Sequence, residues 1–179
     1  ATTPAGGDWV GSVLGPRPIE RIIGITKAYT TRIGSGPFPT ELTDATGDAI
    51  VEIGQEFGTV TGRRRRPGWL DLVMLRHAVR INSLTEVALT KLDVMDSFDM
   101  IRLCVGYSAK GIPLAGYPDD IKLLETVEPT YVDMPGWKQP LRSLRTFEGL
   151  PEAARNIVLR IGEEIQLPIR IVGVGPERD

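Results

Sequence analysis

Two short segments carry most of the chemistry in this sequence: Thr59-Val60-Thr61-Gly62-Arg63-Arg64-Arg65-Arg66 and Lys91-Leu92-Asp93. Four consecutive arginines after a Thr/Gly turn offer planar, permanently charged forks that grip a carboxylate or phosphate at two points, which a lysine ammonium does not do. If the run is extended, Arg63 and Arg65 point roughly the same way, toward a ligand, and Arg64 and Arg66 point elsewhere. Thr61 can hydrogen-bond a carboxylate while Gly62 turns the chain. An ionised Asp93 only accepts hydrogen bonds, so it complements the N1–H and exocyclic amine of guanine and opposes the bare N1 of adenine. Discrimination follows because the wrong base leaves polar groups unpaired. Lys91 can lay its stem along a purine face. Near the end of the chain, Gly173-Val174-Gly175 lacks bulk where backbone N–H groups would approach a base or ribose. Each segment also has a plainer reading. The arginines suit a solvated basic turn or a nucleic-acid patch, although no aromatics interleave them. Lys91 to Asp93 suits a surface turn at a strand end, and Gly173 to Gly175 an ordinary glycine turn.

The elements that must position these residues follow from the hydrophobic pattern. Pro16 to Arg21 opens a short helix, and residues 22–31 are apolar and β-branched enough for one buried strand, ended by Gly34-Ser35-Gly36-Pro37. From Trp69, Leu70, Val73, Met74, His77, Ala78 and Ile81 form one helical stripe, preceded by Pro67 and Gly68. That spacing predicts a helix hanging directly off the arginine run. Val87 to Thr90, Ile101 to Tyr107 and Thr130 to Met134 read as strands. Leu150, Ala154, Ile157, Val158, Ile161 and Ile165 form a second helical stripe that starts at Pro151 and stops at Leu167-Pro168. Ile169 to Val172 is a final strand. Helices alternating with apolar strands predict an α/β layered architecture. In such sheets ligands gather at the carboxyl ends of strands, so Lys91 to Asp93 and Gly173 to Gly175 are expected to share one pocket.

With 21 Lys and Arg against 23 Asp and Glu, the net charge of −2 gives no bulk attraction to nucleic acid or anionic lipid, so any basic site is local. No apolar stretch approaches the ~18 to 20 residues that span a bilayer, and no secretory signal pattern opens the chain. A cytoplasmic chain with neither nucleic-acid nor membrane partners is therefore expected. The 179 residues suit one domain or a large piece of something bigger. A start at Ala1 within a Thr/Pro/Gly-rich segment and a stop just after Gly175-Pro176 lead us to expect a piece.

Cys104, the sole cysteine, sits in an apolar run and reads as an inert strand residue. His77, the sole histidine, lies on a helical apolar stripe and reads as a packed, hydrogen-bonded side chain rather than a general base. One histidine and one cysteine leave almost nothing for a His/Cys metal site or a Ser-His-Asp triad. No spacing demands a carboxylate site for magnesium, and the glycine-rich phosphate loop with its lysine is absent.

These segments stand in longer ordered blocks that resemble one family, the adenylosuccinate synthetases, which join IMP to L-aspartate using GTP. The resemblance is carried by KAYTTRIGSGPFPTEL from Lys27 to Leu42, GTVTGRRRRPGWLDLV from Gly58 to Val73, INSLTEVALTKLDVMD from Ile81 to Asp96, Pro135-Gly136-Trp137, and GVGPER from Gly173. It implies the carboxyl-terminal portion, residues 1–179, of a single P-loop-type GTP-dependent ligase domain with a mixed, mostly parallel central sheet flanked by helices. It implies a two-step reaction, in which the γ-phosphoryl group of GTP passes to the 6-oxygen of IMP and the aspartate amine then displaces phosphate. The loop matching Thr59, Val60, Thr61, Gly62, Arg63, Arg64 and Arg65 would close over aspartate and IMP, with Ile33 beside IMP. Arg65, Lys91, Leu92, Asp93, Gly173, Val174 and Gly175 would serve GTP. Many members carry threonine where Val60 stands, which removes one hydroxyl. The catalytic aspartate and histidine, the phosphate loop and the Mg2+ site belong to the family's amino-terminal half, and His77 does not match that histidine. The resemblance also implies a homodimer, and a chain that is inactive by itself. The alternative is a non-catalytic guanine-nucleotide-binding module.

Overall fold

The computed structural model describes residues 20–176. Of the short helix expected over Pro16 to Arg21, Glu20 and Arg21 are not helical and the rest lies outside the described residues. The apolar run of residues 22–31 is not one strand. It divides into β1 (Ile23–Lys27) and β2 (Tyr29–Arg32), which belong to different sheets. Ala28 makes the crossing, its N–H donating to the Thr90 carbonyl at 2.9 Å while the next residue, Tyr29, already pairs with Trp69.

Helix α1 (Ala45–Gly54) was not anticipated. Asp44 starts it by accepting from the Gly47 N–H at 3.1 Å, Ile50 and Val51 are wholly buried, and Gln55 ends it in the left-handed region at φ 51°. Strand β3 (Arg66–Asp71) starts on the last of the four arginines, so the helix expected from Trp69 begins only at Leu72. Helix α2 (Leu72–Asn82) starts there because the Asp71 carboxylate caps it, accepting from Met74 N–H at 3.0 Å. Trp69 and Leu70 are buried strand residues, and Met74 and Ile81 of the expected stripe are exposed, while Leu75 and Val79 of the same helix pack on the core.

Strand β4 (Glu86–Thr90) leads into a 3-10 turn (Leu92–Met95), then β5 (Met100–Ala109), β6 (Ile112–Pro113), the single-turn α3 (Ile121–Leu124) and β7 (Glu128–Pro135). Helix α4 (Glu152–Ile165) and β8 (Ile169–Val172) complete the described chain where the pattern predicts them. Along α4 the stripe Ala154, Ile157, Val158, Ile161 and Ile165 is buried, each large side chain contributing about 1.5 to 3 kcal/mol.

The α/β expectation holds. Strands β1, β4 and β8 form a wholly parallel sheet in that order. The second sheet runs β2-β3-β5-β6 with β7 also on β5, its β3–β5 pairing parallel and the others antiparallel. One main core joins β4 (Val87, Leu89), the 3-10 turn (Leu92, Met95), Trp137, Leu141 and the buried face of α4. A smaller cluster holds Val73, Cys104, Tyr107 and Leu124. Among the described residues strand β1 is an edge of the parallel sheet, with Ile25 79 % exposed.

Candidate ligand-binding site

The Thr/Gly/Arg segment folds as a tight hairpin. Phe57 bridges to Arg64 antiparallel, Gly58 N–H donates to Arg63 O at 2.8 Å, and Gly62 N–H donates to Gly58 O at 2.7 Å. Gly62 sits at φ 62°, a conformation that a side chain would strain. Thr61 Oγ1 accepts from Arg63 N–H at 3.3 Å, so its hydroxyl helps to shape the turn. Thr59, Val60, Thr61, Gly62 and Arg63 are all exposed at the tip, with Val60 97 % open.

The four arginines part company. Arg64 ion-pairs with Asp48 on α1, and Arg66 forks onto Glu41 while donating to the carbonyls of Gly34 and Gly36, both at 3.0 Å. Arg66 thereby ties the hairpin root to the loop that carries Ile33, which is 66 % exposed. Arg65 turns inward to Glu56, its Nη1 donating to Oε2 at 2.6 Å and its N–H to the Glu56 carbonyl at 2.9 Å. Arg63 makes no ion pair among the described residues. Arg63 and Arg65 therefore do not act as one matched pair of forks: three of the four guanidinium groups answer carboxylates of the chain itself.

Glu56, which sequence reasoning missed, is the centre of this region. Its side chain is wholly buried, yet Oε1 accepts from Tyr29 OH at 2.5 Å, Lys27 Nζ at 2.9 Å and Lys91 Nζ at 3.0 Å. Burial alone would push this carboxyl up; the donors of Tyr29, Lys27, Lys91 and Arg65 outweigh it and hold the group down at about 2. Burial dominates at Lys27, whose ammonium is lowered despite its bond to Glu56. The only signal in the sequence was an acid seven residues before a basic run that needed neutralising.

Lys91 stands at the carboxyl end of β4 in the left-handed region, φ 58°. Its ammonium is held by Glu56 and, at 2.6 Å, by the Gly54 carbonyl at the end of α1. That leaves its stem, not its charge, to face a ligand. Leu92 turns its side chain wholly into the core. Asp93 is half-buried; burial raises its carboxyl above the ordinary value, while the backbone N–H at that position and the charges of Lys91 and Arg142 pull it down.

The two segments expected to share a pocket meet through their backbones, although the cleft beside Gly173 to Gly175 is lined by none of Lys91, Leu92 and Asp93. Gly173 N–H donates to Leu89 O at 2.7 Å, and Leu92 N–H donates to Gly173 O at 3.0 Å, which knits the loops after β4 and β8 together. A β-carbon on Gly173 would stand 3.3 Å from Thr90 Cα. The glycine therefore serves this close backbone packing, and its N–H is committed to the sheet. Val174 and Gly175 continue into a cleft of about 480 Å³ lined also by Arg142, Arg145 and Phe147. Arg142, unmarked by any motif, lies against Gly175, where a β-carbon would fall 3.2 Å from its Cγ. Asp96 sets that approach by accepting from Trp137 Nε1 at 2.8 Å and Leu141 N–H at 3.0 Å.

His77 is half-buried on α2, its ring 5.0 Å from that of Tyr117 and its Nδ1 3.5 Å from Arg80 Nη2. Cys104 is buried in β5, and its thiol is pushed up to about 12 by burial and then by Asp71. No group of three or more His, Cys, Asp or Glu among the described residues could hold a metal ion, so these residues do not fit a magnesium cage. No helix among them is long and apolar enough to cross a membrane.

This arrangement defines an α/β protein that carries candidate ligand loops at the carboxyl ends of parallel strands. A family model described as adenylosuccinate synthetase matches residues 1–179, and the chain belongs to that family. The adenylosuccinate synthetase of Geobacter metallireducens is 52% identical over 179 residues, which is 100% of this chain and 42% of the relative. That of Geobacter sulfurreducens is 51% identical over 179 residues, 100% of this chain and 41% of the relative. A solved structure described as fully ligated adenylosuccinate synthetase from Plasmodium falciparum superposes with a TM-score of 0.93 at 38% identity, covering 98% of this chain and 42% of the other. The chain thus spans about two-fifths of the length of the relatives it matches.

Proposed function

We propose that this chain is the carboxyl-terminal part of a cytoplasmic, homodimeric ligase that joins IMP to L-aspartate at the expense of GTP, forming adenylosuccinate. The γ-phosphoryl group of GTP moves to the 6-oxygen of IMP, which turns a poor leaving group into a good one. The aspartate amine then forms the new C–N bond at C6 as phosphate departs with the bonding pair. The phosphate loop, the groups that transfer protons and the Mg2+ site lie in the family's other half, so the chain is inactive by itself.

Within this reading Asp93 accepts the N1–H and amino group of guanine, and the Lys91 stem lies along the purine. Val174 and Gly175 close the same pocket beside Gly173, and Leu92, buried beneath it, anchors the turn that carries Asp93. Thr59 to Gly62 and Arg63 cover aspartate and IMP, Ile33 packs beside IMP, and Arg65 stands between that loop and the nucleotide. Arg64 and Arg66 set the hairpin on α1 and on the Ile33 loop. The hydroxyl missing at Val60 leaves its backbone N–H as the donor to the aspartate carboxylate.

The observation that carries the reading is the double hydrogen bond of Gly173 to Leu89 and Leu92, which sets both proposed guanine segments side by side. The test is calorimetric titration of the full-length protein with GTP and ATP, repeated with Asp93→Ala. GTP is expected to bind the parent more tightly, and loss of Asp93 to weaken GTP by about 1 to 3 kcal/mol, the range for a buried polar partner left unsatisfied. Equal affinity of the parent for the two nucleotides would remove the guanine assignment.

A further inference from the structure

We infer that Glu56 is a positioning residue that couples the two ligand-bearing segments, setting Arg65 at the root of the hairpin and Lys91 beside Asp93 through one carboxylate. The inference rests on the ligase reading above and adds a residue and a coupling to it.

The geometry is specific. One oxygen of Glu56 accepts from Lys91 at 3.0 Å and the other from Arg65 at 2.6 Å, and the backbone carbonyl of Glu56 accepts from Arg65 again at 2.9 Å. Because the carboxylate is wholly buried, no bulk water substitutes for a donor that moves away. Lys27, from the end of β1, and Tyr29, from β2, share Oε1 with Lys91. Lys27 is itself steadied by Thr31 Oγ1 at 2.6 Å. The carboxylate therefore cannot follow one partner without loading the others.

Two consequences follow for ligands. With its ammonium bound by Glu56 and Gly54, Lys91 presents a fixed aliphatic shelf next to Asp93. Three cations surround one carboxylate, so the cluster keeps a positive excess that a ligand's carboxylate or phosphate at Arg65, its member on the hairpin, would complete. A ligand that draws on Arg65 shifts the load on the same group that fixes Lys91. Occupancy at the hairpin is thus felt at the guanine side, and the reverse holds by linkage.

Steady-state kinetics of the full-length protein, varying GTP and L-aspartate in turn, tests this with Glu56→Gln and Lys91→Met. Glu56→Gln is expected to raise KM for both substrates by about tenfold, within the usual range of coupling between sites. A mere loss of folded protein would instead lower kcat and leave both KM values in place. If either KM of a folded Glu56→Gln protein stays within about twofold of the parent, below that range, the coupling is overturned. Should Glu56→Gln not fold, Lys91→Met decides: a raised KM for aspartate supports the coupling and an unchanged one overturns it. A parent that fails to ligate IMP and aspartate with GTP overturns the proposed function itself, and the coupling with it; a parent that does so while the variants behave as the parent overturns the coupling alone.

Discussion

Lys91 Nζ meets Glu56 Oε1 at 3.0 Å across 35 residues of sequence, reaching down from a backbone turned left-handed at φ 58°. A non-glycine residue rarely adopts that conformation, and here it directs the side chain from the end of β4 toward the end of α1. The contact makes one electrostatic unit of two parts of the chain that would otherwise be independent loops.

Acid should dissolve that unit. Burial pushes the Glu56 carboxyl up, but its four donors overcome this and bring it from an ordinary 4.5 to about 2. A group whose folded value lies below its unfolded one stabilises fully above about pH 4.5 and loses that contribution as pH falls toward 2. Asp71 acts in the opposite sense: burial raises it, so its ionised form costs stability near neutrality and the cost is relieved on acidification. Glu56→Gln is expected to lower the stability of the full-length protein by about 3 kcal/mol near neutral pH, the low end for a broken buried pair because the cations reach solvent. In thermal melts taken from about pH 6 to about pH 3, the gap between parent and variant should narrow. A gap that stays constant would show that the charge of Glu56 is not what stabilises the fold.

The arginines of the hairpin should separate into two kinds. Arg66→Ala removes the fork onto Glu41 and the donations to Gly34 and Gly36, and is expected to cost about 1 to 2 kcal/mol because these charged hydrogen bonds are partly exposed. Arg63→Ala should stay within about 0.5 kcal/mol of the parent, as an exposed side chain that makes no ion pair among the described residues. Denaturant melts of both variants, read beside KM for aspartate, check this. Arg63→Ala should raise KM without lowering the melting midpoint.

Two glycines should respond differently to one methyl group. At Gly136 a β-carbon would fall 1.8 Å from the Phe98 carbonyl oxygen, so Gly136→Ala must move backbone and is expected to cost about 3 kcal/mol. At Gly62 nothing lies within 4 Å, and Gly62→Ala bears only the strain of φ 62°, about 1 kcal/mol. Thermal melts should rank Gly136→Ala well below Gly62→Ala.

The thiol of Cys104 should be silent. Burial first, and the charge of Asp71 second, push it up to about 12, so almost no thiolate exists at neutral pH. A maleimide reagent is expected to label it slowly in the native full-length protein and readily in denaturant. Fast native labelling, localised to residue 104 by peptide mapping, would contradict this assignment.

Elements with their own punctuation were legible in the sequence. Helix α4 has Pro151 before it, a clean apolar stripe within it and Pro168 after it, and β8 is a short β-branched run ended by glycine. Helix α2 was placed too early because Trp69 and Leu70 continue its apolar spacing backwards into β3; the overlooked signal was Asp71, a residue type that starts helices. The run over residues 22–31 looked continuous because nothing local marks a change of sheet at Ala28; the carbonyl that receives its N–H belongs to Thr90. The meeting of Lys91 to Asp93 with Gly173 to Gly175 was legible because adjacent parallel strands end on the same side. Glu56 was not, since a lone glutamate acquires meaning only when Lys27, Tyr29, Arg65 and Lys91 arrive from four other places.

The open border of β1 has a practical corollary. Among the described residues this strand pairs in a sheet only with β4, and its Ile25 side chain is largely bare. Such a rim templates further strands, so a preparation of these residues alone is expected to clump as it is concentrated, and a single lysine in place of Ile25 to delay it.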